Sequence, residues 1–283
     1  MPGEWYAATQ PFPTKPPAYD QQGVTIDDLI DFTPELRQEA IGILSRYRYG
    51  PMFTPPSLAR MPTGTKGTVQ MPGAAGGSNW TGAGADPETG MLYVTSVHSP
   101  FIAEMIKAQE PEASQVNHPT GAAAATVEWT TRRGAALTGP WLEGPRGLPI
   151  FKPPYGRLVA IDLNKGDIVW TAANGNGPRD HPAIKHLNLP PLGQGGRASP
   201  LVTKTMVFLG EGGNNAVVGL PPGGGGKMFR AYEKPTGRVI WEMALPGGTT
   251  GAPMTYMFNG KQYIVVATGW KGVASELVAL ALP

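Results

Sequence analysis

The chain has 283 residues, of which 41% are hydrophobic and 16% charged, and its formal net charge is +2. Because the net charge is small and no run of Lys and Arg is interleaved with aromatic residues, the sequence predicts no nucleic-acid partner. The absence of cysteine excludes disulfides and thiolate metal sites, and 39 glycines and 31 prolines set among short apolar runs are typical of an all-β fold with tight turns.

The first 75 residues are predicted to be irregular apart from one surface helix over residues 34–48. Thr33 suits the N-cap and Pro34 the first helical position. One face of this segment is apolar at helical spacing, with Leu36, Ala40, Ile41, Leu44 and Tyr47. Before it, Thr9–Pro17 is proline-rich and predicts extended chain, and the start of the sequence has no pattern of a secretory signal.

From residue 76 the sequence takes the period of two that is typical of strands. Met91–Ser96 predicts a short strand entered from a turn. Residues 97–150 show no clear period and predict an insertion loop, with one short helix around Phe101–Ala108. Strands return from residue 151, so residues 76–283 are predicted to form one β domain interrupted by this loop.

Two hairpins in the second half share one pattern. In each, an alanine stands six residues before the turn glycine and a tryptophan four residues after it: Ala160, Gly166 and Trp170 in one, Ala231, Gly237 and Trp241 in the other. The glycine supplies the positive φ of a tight turn, and the indole packs against a neighbouring sheet. Repetition of such a unit predicts propeller blades, here over 76–172, 198–244 and 250–283.

These hairpins resemble the tryptophan-docking motif of the quinoprotein dehydrogenases that depend on pyrroloquinoline quinone (PQQ). Further segments resemble the glucose- and polyol-oxidising branch of that family. They are Thr9–Pro16, Leu36–Pro56, Gly77–Gly82 and Pro253–Tyr256 with Asn259–Tyr263. The resemblance covers nearly the whole chain in order. It implies about three blades, the last ones, of an eight-bladed propeller that holds the quinone near its axis with calcium beside it. The fold expected is therefore an all-β partial β-propeller with one N-terminal helix.

The resemblance also implies a function. It makes the chain the carboxy-terminal part of a PQQ-dependent dehydrogenase that oxidises sugars, polyols or alcohols by hydride transfer to the quinone, with a quinone or cytochrome as electron acceptor, in the periplasm. In the family the catalytic base and the calcium ligands precede the Thr9–Pro16 segment. None of them maps to this chain, which leaves independent activity open and makes the missing N-terminal half, as a separate chain, a candidate partner. The alternative is a non-catalytic propeller scaffold that binds other proteins.

Three residues are candidate cofactor contacts. By resemblance, Asn79 approaches the quinone, where an amide can donate to a quinone oxygen; the alternative is a turn cap. Its neighbour Trp80 is either a second contact or a core residue. Trp270 follows an apolar strand directly and is either a contact or a rim residue. No residue is assigned as catalytic, and the four histidines are not spaced as metal ligands.

Overall fold

The computed structural model describes residues 9–58, 64–73, 76–80, 82–107, 129–131, 142–213, 225–270 and 272–282. These residues include one α-helix, α1 (Pro34–Leu44), and fifteen strands. The strands are β1 (Ser57–Leu58), β2 (Thr68–Gln70), β3 (Ala83–Asp86), β4 (Met91–Val97), β5 (Phe101–Lys107), β6 (Trp129–Thr131), β7 (Gly156–Asp162), β8 (Asp167–Ala173), β9 (Leu201–Val202), β10 (Met206–Gly210), β11 (Met228–Glu233), β12 (Val239–Ala244), β13 (Met254–Phe258), β14 (Lys261–Trp270) and β15 (Val273–Ala281). In the part of the chain that is described, no helix is apolar over enough residues to cross a bilayer.

Helix α1 begins where the sequence predicts and ends earlier. The Thr33 hydroxyl accepts a hydrogen bond from the backbone N–H of Leu36 at 3.3 Å, and Pro34 occupies the first turn. The helix ends at Leu44 rather than at residue 48, so the predicted end is wrong. The cause is a long-range pairing, because Arg48 forms a parallel bridge with Thr68 and leaves the helical path.

Three antiparallel sheets follow one another along the chain. The first has the strand order β3-β4-β7-β8, the second β12-β11-β10-β9 and the third β13-β14-β15. The first and second are joined through a core of seven buried residues: Tyr93, Leu158, Ala160, Ala198, Val207, Leu209 and Tyr232. The second and third are joined through Phe208, Phe229, Ala231, Leu245 and Val266. This succession of sheets stacked face to face is that of propeller blades, and the predicted all-β partial propeller with one helix is confirmed.

The two repeated tryptophans lie between and beside these sheets. The Trp170 indole N–H donates to the backbone oxygen of Lys234, in the β11–β12 turn of the second sheet, at 2.9 Å. Its ring lies on Gly237, where an added Cβ would be 2.5 Å from Trp170 Cε3. Trp241 packs edge-on against Phe229 of its own sheet, with ring centroids 6.5 Å apart, and is 42% exposed. The first tryptophan therefore joins two blades, and the second packs on one.

The predicted insertion loop contains two strands, β5 and β6. Residues Phe101–Lys107 form β5 and not a short helix, so that prediction is wrong; Ala108, where the helix was expected to end, lies outside the described residues. Strand β5 pairs antiparallel with β2 and parallel with β1. These partners precede β5 by some thirty residues or more, and such a distant pairing leaves no local signal.

The first 75 residues and the insertion share one core. Residues from both are buried in it together with others from the stretch that precedes the second sheet: Val24, Leu29, Ile30, Leu36, Ala40, Leu44, Val69, Met71, Ile102, Leu142, Leu148, Ile150, Phe151, Tyr155, Ile184 and Leu192. A boundary at residue 75, drawn on the sequence, thus does not divide the cores. The insertion completes a layer that the N-terminal segment begins, and this layer lies beside the first blade.

Candidate functional site

Asn79 and Trp80 lie in a turn just before β3, the first strand of the first sheet. The backbone oxygen of Asn79 accepts from the N–H of Gly82 at 2.8 Å, and its side-chain oxygen accepts from the N–H of Trp80 at 2.7 Å. Asn79 therefore stabilises this turn, and its contact with the cofactor stays a prediction. Trp80 is 99% exposed, so its interpretation as a core residue is wrong.

Two hydrogen bonds attach the segment before this turn to strand β4. The backbone oxygen of Gly77 accepts from the N–H of Val97 at 2.9 Å, and the Ser78 hydroxyl donates to the backbone oxygen of Thr95 at 2.5 Å. We call residues 76–80 the rim segment. Because it is bonded to a central strand of the sheet at two consecutive residues, it presents Asn79 and Trp80 from a fixed position.

A buried ion pair lies behind the rim segment. The carboxylate of Asp20 accepts from the guanidinium of Arg157, and the two side chains are only 10% and 11% exposed. Burial raises the pKa of Asp20, and the charge of Arg157 and two hydrogen bonds oppose that rise. Burial also lowers the pKa of Arg157. Arg157 further donates through Nε to the Ser96 hydroxyl at 2.7 Å.

His98 is buried beside this ion pair. Its Nε2 lies 2.6 Å from the side-chain oxygen of Gln21 and its Nδ1 3.2 Å from the backbone oxygen of Lys152. Burial and then the charge of Arg157 lower the pKa of His98 to about 3. The ring is therefore neutral near pH 7 and holds a single proton.

These groups line a cavity of about 370 Å³ together with the N-terminal segment. Its lining is mostly polar and carries both signs of charge: Ala18, Tyr19, Asp20, Gln21, Asp27, Asp28, His98, Lys152, Pro153 and Arg157. No local pattern in the sequence marks this arrangement, since Asp20 and Arg157 are 137 residues apart and neither belongs to a motif. A buried pair of this kind becomes visible only once the chain is folded.

Trp270, the third candidate, belongs to a different blade. It is the last residue of β14 and pairs with Val273 of β15, so the structure places it at the end of a strand of the third sheet, as expected from the sequence. The preceding Gly269 donates its N–H to the backbone oxygen of Gly248 at 3.1 Å. The Trp270 side chain lies outside the described residues.

The comparisons with known proteins agree with this architecture. The family model of the PQQ glucose/ethanol/alcohol dehydrogenase β-propeller domain matches residues 1–264. The chain belongs to this family. The resemblance seen in the docking hairpins and the rim segment is thereby confirmed, and so is PQQ as the cofactor of the family.

Curated relatives extend beyond this chain. It is 28% identical to the glycerol dehydrogenase large subunit of Gluconobacter oxydans, over 100% of this chain and 38% of that protein. It is also 28% identical to quinoprotein glucose dehydrogenase A of Acinetobacter calcoaceticus, over 99% of this chain and 33% of that protein. The quinoprotein glucose dehydrogenase of Escherichia coli matches at 28% identity over 99% of this chain and 34% of its own length. The chain thus spans about a third of the length of these relatives.

The described residues fit PQQ and calcium, the two groups that the family resemblance implies, differently. An exposed indole next to a carboxamide suits a planar quinone, because the ring offers a flat surface and the amide offers N–H donors to a carbonyl oxygen. No group of three or more His, Asp and Glu side chains that could hold a metal occurs among the described residues. These residues therefore fit an edge of PQQ and do not by themselves fit calcium.

Proposed function

We propose that this chain supplies the carboxy-terminal blades of a PQQ-dependent dehydrogenase that oxidises a sugar, polyol or alcohol. The observation that carries the proposal is the family match over residues 1–264, in a chain that covers only 33% to 38% of two relatives named as glucose and glycerol dehydrogenases. A periplasmic location and a quinone or cytochrome electron acceptor are part of the proposal on family resemblance alone.

In this proposal the rim segment contacts the cofactor. PQQ, when bound, accepts the hydride that leaves the substrate carbon. Asn79 donates through its carboxamide to a quinone oxygen, Trp80 covers part of the ring system, and Trp270 contacts the cofactor from the third sheet. An amide held in place beforehand stabilises developing charge without reorganisation, and the two bonds of the rim segment to β4 provide that rigidity.

The remaining blades form the other part of the proposal. No described residue is assigned as the base that removes the alcohol proton, and no step is assigned to calcium. We propose that both come from blades outside these 283 residues, carried by a partner polypeptide. The bare outer face of the third sheet supports such a partner, since Met254, Phe258 and Leu277 on that face are all more than half exposed.

The experiment that tests this proposal is a PQQ titration followed by fluorescence, with the chain alone and with a polypeptide carrying the preceding blades of a relative. We expect the assembled protein to bind PQQ, and Asn79→Ala to weaken binding on the order of tenfold, the effect of one lost hydrogen bond. Asn164→Ala, in the exposed β7–β8 turn, is the matched control and should leave the affinity unchanged. A scaffold predicts no PQQ binding even with the missing blades supplied, and that result would refute the proposal.

A further inference from the structure

Gly77 of the rim segment lies directly against the carboxylate of Asp20. A Cβ placed on Gly77 would lie 1.3 Å from Asp20 Oδ2, far inside any real contact distance, whereas its backbone is outside the left-handed region that favours glycine. A glycine is required here for space and not for conformation. Because Arg157 and the N–H of Gln21 hold this carboxylate, it limits how closely the rim segment can approach.

The other side of this carboxylate is tied to the strands of the first sheet. Asp20 Oδ1 accepts from the N–H of Gln21 at 2.9 Å and from Arg157. Arg157 also bonds to Ser96, its cross-strand partner on β4. Asp20 Oδ2 is buried and has no hydrogen-bond partner among the described residues. This buried oxygen makes no hydrogen bond to the rim segment, so its contact with Gly77 is steric.

From this arrangement we infer that Asp20 and Arg157 are positioning residues that act through Gly77 to set the location of Asn79 at the cofactor. The inference rests on the proposed function. Asn79 is only two residues beyond Gly77. The residue between them, Ser78, is held to β4 by its hydrogen bond to the Thr95 oxygen. A shift at Gly77 is therefore passed to the Asn79 carboxamide.

The first test measures PQQ affinity of the assembled protein in Gly77→Ala and Asp20→Asn. In Gly77→Ala the new methyl group pushes the rim segment away from the carboxylate. We expect affinity to fall on the order of tenfold, as displacement of a binding group by a fraction of an ångström does. Gly42→Ala is the matched control, because a Cβ on Gly42 of helix α1 meets nothing within 4 Å, and its affinity should equal that of the unaltered protein.

The second test separates positioning from a general structural effect. In the background Asn79→Ala/Trp80→Ala, adding Gly77→Ala should weaken binding no further, because both side chains that the rim segment presents to the cofactor are already gone. Additive losses would overturn the inference. An independent measurement is the side-chain amide resonance of Asn79 in ¹⁵N-labelled protein without cofactor, identified by its loss in Asn79→Asp. It should move in Asp20→Asn and stay in place in Gly42→Ala.

The two proposals fail in different ways. If Asn79→Ala keeps full affinity, the contact assigned to Asn79 is wrong and the inference that depends on it falls too. If Asn79→Ala weakens binding while Gly77→Ala and Asp20→Asn do not, the proposed function stands and only the positioning role is refuted. An unmoved Asn79 resonance in Asp20→Asn refutes that role as well, whatever the affinities.

Discussion

The two repeated tryptophans show how one sequence pattern acquires two energetic roles. Trp170 gives its indole N–H to Lys234 and packs 5.8 Å from the ring of Tyr93, whereas Trp241 remains 42% exposed. Phenylalanine at either position keeps a flat ring and removes the N–H. Without the N–H of Trp170, the Lys234 oxygen loses its donor at the junction of two blades. Trp241 is already partly exposed to water, so removal of its N–H costs less.

We therefore expect Trp170→Phe to lower the free energy of unfolding by about 1–2 kcal/mol and Trp241→Phe by about 0.5 kcal/mol or less. Urea denaturation followed by circular dichroism measures both, provided the slope with denaturant is the same in the two variants. Equal losses would show that Trp170 does not join the blades as described.

The buried histidine predicts a dependence of stability on pH. The pKa of His98 is about 3 in the folded chain against an ordinary value of about 6.5. Between these values the unfolded chain binds more protons, so the free energy of unfolding falls as the pH drops through this window. From pH 6.5 to pH 5 we expect a loss of about 1–2 kcal/mol from this group.

Thermal unfolding at pH 7, 6 and 5 measures this loss. His98→Gln should flatten the pH dependence over this range, because glutamine does not titrate. The control is His186→Gln at an exposed histidine, which should keep the slope of the unaltered chain. An unchanged slope in His98→Gln would mean that another group carries the acid sensitivity.

Helix α1 gives a matched pair of substitutions at the scale of one element. Thr33→Ala removes the cap on the Leu36 N–H and should cost about 1 kcal/mol. Gly42→Ala, on the exposed face of the same helix, should stabilise by about 0.5–1 kcal/mol through helix propensity. Opposite shifts in the urea midpoint are the expected result, and a neutral Thr33→Ala would contradict the capping role.

The sequence predicts those elements whose causes are local. The start of α1 follows from adjacent residues, Thr33 and Pro34, and the β7–β8 and β11–β12 hairpins follow from turn glycines at fixed spacing. The end of α1 and the strand β5 depend on partners far along the chain, Thr68 in one case and β2 in the other. No window of neighbouring residues contains those partners, so both were predicted wrongly.

The candidate site divides in the same way. Asn79, Trp80 and Trp270 could be chosen from the sequence because a resemblance supplied their context, and their contact with the cofactor stays a prediction. The ion pair of Asp20 and Arg157 could not be chosen, because its members are 137 residues apart and each alone is an ordinary charged residue. Gly77 gave no sign either, since its need for space arises only from the approach of Asp20.

At the scale of the whole molecule, the two ends of the stack of sheets differ. On the outer side of the first sheet, Tyr19 packs against the cluster of Val94, Val159 and Ile161. Lys15 lies on Gly166: a Cβ added to Gly166 would be 3.1 Å from the Cβ of Lys15. Gly166 is the counterpart in the repeat of Gly237, on which Trp170 lies. The N-terminal segment thus covers the first sheet, partly at the place that a docking indole takes in the second.

The third sheet has one covered face and one bare face. Strand pairing puts Ile264, Val266 and Val278 on the face that packs on the second sheet. The opposite face carries Met254, Tyr256, Phe258, Lys261, Tyr263, Val265, Ala267, Leu277, Ala279 and Ala281. Tyr256 and Tyr263 stack there with ring centroids 5.4 Å apart. A sheet face with several exposed apolar side chains, here Met254, Phe258 and Leu277, is a surface on which another sheet packs.

This face leads to a prediction for the chain on its own. We expect the isolated 283-residue protein to self-associate through the third sheet, and the double variant Phe258→Glu/Leu277→Glu to reverse this by placing two charges on the bare face, where the two side chains are 59% and 74% exposed. Sedimentation velocity over a range of protein concentrations measures the association.

Leu163→Glu is the control, since Leu163 is 53% exposed in the β7–β8 turn of the first sheet, and this variant should associate as the unaltered chain does. If the chain is monomeric, or if Leu163→Glu dissociates it equally well, self-association through the third sheet is excluded. If the double variant is monomeric and also fails to bind the preceding blades of a relative, one face serves both associations, as a ring of stacked sheets requires.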